Sequence, residues 1–463
     1  YCPMKHKIYS LVAMLTMALA LTSCFKEEEK VPDNSSQATA IVAFSIKEVK
    51  ILHDTVNAAG KDTVVVTKYK PTTYRFYINQ NNGTIYNPDS LPYGTRAKAV
   101  LTNITAKSNG KIFIRPLTIG AATPYKENDS IDFSQPRIIE VYSQNGEYRK
   151  TYTITVNVHK QRGNEFKWNT LNDNTNFALF DDVKMVSYNK KMYVFGKKGS
   201  QTICYFTAEN DGNTWTQVPT TFGATSYKSV IATENGMFLL DNGQIKHSND
   251  GVTWTTVSTA PLQQLVAAGA TELYALSNSN TLMVSKDNGV SWTNEALDAN
   301  SSYLPTNGIG FIYQPSATDN QISRVTLFGT NTTNNFVVAW TKLIDGTSTS
   351  TSYKWSFVET EVSSEFQLPK YNHLSVIYYN NKAMAFGVTD NGKFAPIKES
   401  INNGIVWTTN KHYVYPTETP SRNFAIAADS QKYIWIVCGN KVWKGRLNSE
   451  GWSKQQTEFT RSY

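Results

Sequence analysis

Long apolar runs are almost absent from this 463-residue sequence; the one of leader length is Ile8 to Leu21. A membrane-spanning helix needs about 20 consecutive apolar residues, and no later stretch offers them. Cysteine is scarce, with four residues in all, which excludes a disulfide scaffold. Charged residues make up 18%, below the ~25% of an ordinary soluble domain. Heptads are missing, and 26 Gly and 16 Pro are scattered through the chain, so a coiled coil is excluded. The six histidines (His6, His53, His159, His247, His373 and His412) are isolated, with no His/Cys pair at metal-ligand spacing. A phosphate-cradling Walker loop, a Gly-X-Ser-X-Gly elbow and a His-Glu-X-X-His helix are all lacking, so no cofactor or metal is expected. The net charge of +8 comes from 45 Lys+Arg against 37 Asp+Glu without a long basic run. A nucleic-acid binder would concentrate those charges in a stripe; here they serve solubility.

What the chain has is aromatic and β-forming. Aromatics reach 12%, with 26 Tyr, 21 Phe and 10 Trp, and Thr and Asn are abundant. That supply excludes a disordered chain and fits an all-β protein.

Lys5 and Lys7 precede the Ile8–Leu21 run, and Thr22-Ser23-Cys24 follow it. A basic start, a short apolar stretch and small residues at its end describe an export signal. Leu21-Thr22-Ser23-Cys24 resembles the bacterial lipobox, which implies cleavage before Cys24 and acylation of its thiol. More than one acyl chain gives stable anchoring, here to the outer membrane. Phe25-Lys26-Glu27-Glu28-Glu29-Lys30 resembles the surface-export signal of Bacteroidetes lipoproteins, which implies the leaflet facing the cell exterior. The expected organisation is a signal peptide over 1–23, a lipidated tether over 24–38, a β-sandwich over 39–160 and a second domain over 165–463. Cys204 and Cys438, in apolar contexts, are expected to be buried free thiols; a bond between them requires the first and last repeats of that second domain to be neighbours.

The sandwich is read from short β-like runs separated by Asn82-Gly83, Asn109-Gly110 and Asn145-Gly146. Tyr152 to Val158 alternates with period two and closes the region. This final hairpin looks like that of Ig-like or cadherin-like modules of cell-surface proteins.

Beyond Gln161-Arg162-Gly163-Asn164 the text repeats. Asn210-Asp211-Gly212-Asn213-Thr214-Trp215 returns as Asn249-Asp250-Gly251-Val252-Thr253-Trp254. It returns again as Ser285-Lys286-Asp287-Asn288-Gly289-Val290-Ser291-Trp292 and as Ser400-Ile401-Asn402-Asn403-Gly404-Ile405-Val406-Trp407. Degenerate copies end at Trp355 and Trp452, and the gaps between successive tryptophans are 39, 38, 63, 52 and 45. A period near 40 with about four short strands per unit is the signature of a β-propeller. Six tryptophans give six blades; Trp168 supplies either a strand that closes the ring or a partial seventh blade.

The repeated text resembles the Asp-box, or bacterial neuraminidase repeat. Its Asp or Asn accepts backbone N–H bonds across a turn, its Gly takes a positive φ and its Trp packs between sheets. Asn210, Gly212, Trp215, Asn249, Gly251, Trp254, Ser285, Asp287, Gly289, Trp292, Ser400, Asn402, Gly404 and Trp407 are therefore assigned structural roles. Sialidases share the box, but their Arg-Ile-Pro element is missing here. The region has only Arg324, Arg422, Arg446 and Arg461 to build an arginine clamp, and lysine does not replace bidentate guanidinium geometry.

A binding face is expected where one blade's outer strand leads into the next blade's inner strand. The longest such connections, 297–306, 359–373 and 411–422, carry Tyr303, Phe366, Tyr371, His373, Tyr413, Tyr415 and Arg422. Aromatics with a few polar groups suit sugar stacking or a protein hot spot. The whole resembles an uncharacterised family of Bacteroidetes surface lipoproteins, which implies a non-catalytic protein binding a glycan or another protein. A sialidase-like glycoside hydrolase or lyase with two spatially paired carboxylates, and an assembly scaffold, are the alternatives.

Overall fold

The computed structural model describes residues 37–347, 353–360, 363–418, 420 and 423–452. The export signal, Cys24, Arg422 and Arg461 lie outside the described residues. Two compact units divide between Gln161 and Arg162.

The first unit is a sandwich of two sheets. One has the order Asp62–Tyr69, Ile41–Val56, Leu101–Ala106; the other runs Tyr77–Asn79, Thr84–Tyr86, Arg149–Thr155, Arg137–Tyr142, Lys111–Ile114, Thr123–Pro124. Alternation puts Phe44, Ile46 and Ile104 of one sheet against Ile139, Val141, Tyr152 and Ile154 of the other in a single core. The closing hairpin pairs Arg137–Tyr142 with Arg149–Thr155 around Gly146, whose φ is 79°. Tyr152 is fully buried and its hydroxyl accepts from the Ile41 amide at 3.1 Å, which ties the first strand to the far sheet.

The second unit is a six-bladed propeller. The inner strands are Asp182–Tyr188, Val230–Thr233, Leu262–Ala268, Asn307–Pro315, Asn372–Tyr379 and Phe424–Ala428, each followed outward by antiparallel strands. Each inner strand adjoins the next around the ring, and the last adjoins the first. The sixth blade takes its outermost strand from the start of the unit: Phe166–Thr170 pairs with Lys441–Leu447, Trp168 opposite Gly445. A Cβ at Gly445 would lie 2.5 Å from the Trp168 ring, so glycine makes room for the indole. Trp168 therefore closes the sixth blade, and the seventh-blade reading falls. Cys204 and Cys438, in blades 1 and 6, are both buried and form no disulfide, although those blades adjoin.

The box tryptophans of blades 1 to 5 wedge each of these blades against the one before it. The Trp254 ring lies 5.4 Å from that of Phe222, Trp355 4.9 Å from Tyr274, and Trp407 5.7 Å from Phe328, all edge-on. In blade 3, Asp287 accepts from the Ser291 amide at 2.9 Å, Ser285 Oγ accepts from the Gly289 amide at 2.8 Å, and the Trp292 indole N–H donates to Gly289 O at 3.1 Å. Backbone and hydroxyl donors hold the Asp287 and Asp250 carboxyls down at about 2. One assignment shifts. In blades 1 and 2 the accepting side chains are Asp211 and Asp250, not Asn210 and Asn249, because these turns are one residue shorter between carboxylate and glycine.

Gly251 shows how tightly the boxes dock. Its φ is +75° and an added Cβ would meet the Tyr193 ring of blade 1 at 2.4 Å, whereas Gly199, φ +60°, has nothing within 4 Å. Left-handed strain is common to both, about 1 kcal/mol for a non-glycine residue; overpacking adds roughly 1–3 kcal/mol at Gly251 alone. In urea titrations followed by tryptophan fluorescence, Gly251→Ala should lose about 2–4 kcal/mol of propeller stability and Gly199→Ala about 1. Equal losses would mean that the box does not lock neighbouring blades.

Candidate functional site

Because every inner strand starts at the same rim, the connections leading into those strands gather there. The channel between the six strands encloses a cavity of about 910 Å³ whose lining comes from all six blades. Period-two alternation decides what faces it. All of 182–187 border the cavity, but Val183 and Met185 are buried in the core shared with blade 6, while Asp182 and Lys184, offset by one, lie on the other face of the strand.

Three side chains meet at the rim. Tyr227 donates its hydroxyl to Asp182 Oδ2 at 2.8 Å, the Val183 amide donates to Oδ1 at 2.9 Å, and His373 Nδ1 stands 3.6 Å from Oδ1. Burial opposes ionisation of Asp182, but the His373 and Tyr227 contacts outweigh it and hold the carboxyl below its usual range. Asp182 is thus a fixed anion, unsuited to donate a proton. Deeper in, Lys184 Nζ donates to Lys228 O at 3.1 Å, and Gln264 Nε2 to the same carbonyl at 3.2 Å. Enclosure among the inner strands pushes the Lys184 ammonium down to about 8. On the blade 5 side, Asn372 Nδ2 donates to Asp390 Oδ1 at 3.1 Å. Among the described residues no group of His, Cys, Asp and Glu is disposed to hold a metal ion.

His373 is held by a bulge. The pairing of Asn372–Tyr379 shifts register between Asn372 and Ser375, and His373 takes φ 51°. Blade 4 bears the same irregularity, between Asn307 and Gly310, where the left-handed position belongs to Gly308, φ 55°. Glycine accepts that conformation freely; a β-carbon does not. Blade 5 therefore carries a histidine on a strained backbone where blade 4 uses glycine, and such strain concentrates at functional positions.

Of the aromatic positions picked from the connections, only Tyr371 and His373 line the channel. Tyr371 is itself buried, its hydroxyl donating to Pro396 O at 3.0 Å, and burial pushes it up to about 12. Tyr413 is buried with its ring against Phe166 and Tyr379. Tyr415 stacks on Phe394 at 4.3 Å and donates and accepts at Gly387. Tyr303 tilts against Phe357 at 5.1 Å while its carbonyl accepts from Trp340, and the Phe366 carbonyl accepts from the Trp407 amide. Tyr303, Tyr413 and Tyr415 are corrected to structural residues, because a long connection has to bury its own small core and these aromatics pack in it; Phe366 is half-buried and lies outside the channel lining. No arginine clamp forms among the described residues, since Arg324 bonds Thr341 and Arg446 lies 4.0 Å over the Tyr433 ring near the opposite rim.

Residues 162–455 match the DUF6242 beta propeller domain, and residues 44–156 match the N-terminal domain of DUF6242, a domain of unknown function. The chain belongs to the DUF6242 family. No curated protein matches it. Among solved structures it is similar to an auxiliary nutrient binding protein from Bacteroides ovatus, at 12% identity and TM-score 0.42, covering 75% of this chain and 94% of that one. It is also similar to a quinonprotein alcohol dehydrogenase-like protein from Bacteroides thetaiotaomicron, at 9% identity and TM-score 0.30, covering 75% and 93%. A GH74 xyloglucanase from Xanthomonas campestris follows at 13% identity and TM-score 0.35, covering 63% and 51%. At such identities none of these brings a ligand or an activity to the DUF6242 chain.

The strain at His373 is measurable without a ligand. Alanine and glycine both remove the imidazole, but only glycine relieves the left-handed backbone. His373→Gly should therefore be more stable than His373→Ala by roughly 1 kcal/mol in denaturant titrations, the reverse of the usual order in a strand. An alanine variant as stable as the glycine one would show that the position carries no strain.

Proposed function

We propose that this DUF6242 chain is a non-catalytic cell-surface lipoprotein that binds a glycan at the rim of its propeller channel. The observation that carries the reading is the Asp182–Tyr227–His373 cluster, with its strained histidine, at the mouth of a polar cavity of about 910 Å³. Pockets for small ligands run to about 300–1,000 Å³ and place a few polar groups to fix orientation. Fixed acceptors (Asp182, Asp390), a donor lysine and half-buried aromatic edges match the alternating hydroxyls and C–H faces of a sugar. A concave polar channel suits a chain end or a short oligosaccharide better than the flat surface of a protein. Hydrolysis by paired carboxylates requires one of them to be protonated near neutrality; Asp182 is held in the opposite direction. The Trp-terminated turns act as Asp-boxes, on the rim opposite the site, and serve the scaffold.

The reading is tested with the protein from residue 37 onward on a glycan array, beside fluorogenic glycosides. Wild type should capture a restricted set of glycans and turn over none of the substrates; His373→Gly, folded by its denaturation profile, should lose capture. Capture undiminished in that variant, or glycoside turnover, would remove the channel rim or the non-catalytic assignment respectively.

Anchoring is tested separately on the full-length chain in a Gram-negative host. Palmitate should label wild type and fail to label Cys24→Ala. A labelled Cys24→Ala protein would mean that the lipid, if any, sits elsewhere.

A further inference from the structure

The first unit leaves one long strand unpaired on one side. Asp62–Tyr69 is the edge of its sheet and pairs only with Ile41–Val56 among the described residues. Both of its faces are open: Val64, Val65 and Val66 are 53%, 48% and 51% exposed. Three consecutive exposed valines on a free edge form a ready template for another strand.

Its sequence reads the same from either end. In Asp62-Thr63-Val64-Val65-Val66-Thr67-Lys68, a two-fold axis through Val65 sets Val64 opposite Val66 and Thr63 opposite Thr67. The one departure from identity is the outermost pair, and it sets Asp62 opposite Lys68. An antiparallel copy of the same strand would thus bring like apolar residues together and opposite charges together, twice each. Cross-strand pairs of both kinds are stabilising.

The hydrogen-bond phase of the edge agrees. The Leu52 amide donates to Gly94 O and the Arg96 amide to Lys50 O, so residues 50 and 52 turn their backbone groups away from the edge strand. The ladder is then made by Ile51, His53 and Thr55, whose partners are Thr67, Val65 and Thr63. By alternation, Asp62, Val64, Val66 and Lys68 point their N–H and C=O groups outward. Pairing about Val65 matches even positions only with even ones, 64 with 66 and 62 with 68, so every outward group meets a partner. An axis midway between two residues would match outward groups with inward ones, and among the axes that pass through a residue the one at Val65 sets Asp62 opposite Lys68. Lys68 is available for this, since its contact to Glu48 is 3.4 Å with the lysine side chain 72% exposed, a surface pair of little worth. On the face of these even residues, exposed Leu52 and Val56 continue the valines into an apolar stripe that a second copy would double.

We propose that Asp62–Tyr69 is a homodimerisation edge, pairing antiparallel with the same strand of a second copy about Val65. The pairing is independent of the channel ligand. It is tested with the protein from residue 37 by sedimentation equilibrium and by oxidative cross-linking. Wild type should associate reversibly to a dimer. Asp62→Lys alone or Lys68→Asp alone puts like charges opposite each other at two places and should weaken the dimer by about tenfold. The double exchange should return it to near the wild-type constant, which a general surface effect would not do. Val65→Cys, meeting itself on the axis, should oxidise to a covalent dimer, while the equally exposed Val66→Cys, whose partner is Val64, should not. A monomeric wild type at every concentration, cross-linking of Val66→Cys as fast as Val65→Cys, or a double exchange no better than the single ones would each overturn the proposal.

Discussion

Ring closure is the constraint on which the propeller depends. No blade covers its own two faces, so each is stable only between neighbours, and the sixth is complete only when Phe166–Thr170 returns to Lys441–Leu447. Joining segments some 275 residues apart costs about 5 kcal/mol of loop entropy by the logarithmic rule. Five ladder positions, at about 1 kcal/mol net per hydrogen bond, roughly match that cost and leave little over. The surplus comes from side chains: Phe166 and Trp168 pack on the Gly445 gap and on Tyr413, and the Trp168 indole N–H reaches Val414 O at 2.8 Å. Tyr413 thus belongs to the closure and not to a ligand. The seam with blade 1 is polar as well: Glu209 of blade 1 accepts from the Ser430 amide at 3.0 Å, and its carbonyl accepts from Lys444.

Closure also makes the site. Six strands that start at one rim bring Asp182 of blade 1, Tyr227 before blade 2 and His373 of blade 5 to the same mouth, although 191 positions separate the first from the last. Repetition alone would give a channel of six equivalent walls. Specific chemistry has to come from departures, and the sharpest is the shared bulge of blades 4 and 5, filled by Gly308 in one and by His373 in the other.

The architecture was legible because its signals are local. A tryptophan that wedges against the preceding blade recurs where the blade recurs, as Trp215, Trp254, Trp292, Trp355 and Trp407 do, and with the degenerate copy at Trp452 they spell the blade count directly. Asp182 and Lys184 were also legible in principle, as polar residues alternating with Val183 and Met185 in a strand, yet alternation marks a face without saying whether it meets bulk water or a channel. Tyr303, Tyr413 and Tyr415 misled for a related reason: sequence locates them on connections but not the small cores those connections bury. His373 was noticed as a loop histidine, and the feature that singles it out, a left-handed backbone at a bulge, has no letter in the sequence.

The two units treat their strand edges in opposite ways. Four of the six blades end in outer strands of two residues, Thr216–Gln217, Thr293–Asn294, Ser356–Phe357 and Thr408–Thr409, too short to template another chain. The ring hides the inner edges, and among the described residues the longest outer edges of the propeller, Thr255–Thr259 and Phe166–Thr170, are five residues each. The first unit instead ends a sheet with eight residues whose centre is Val64-Val65-Val66, about half exposed on both faces. Charge guards such an edge when it repels a copy of itself; here Asp62 and Lys68 stand at symmetric distances from Val65, where each attracts the other across the axis. The same two residues that would repel an in-register parallel copy favour the antiparallel one. The edge is therefore open to one geometry and closed to the stacking that leads to fibrils.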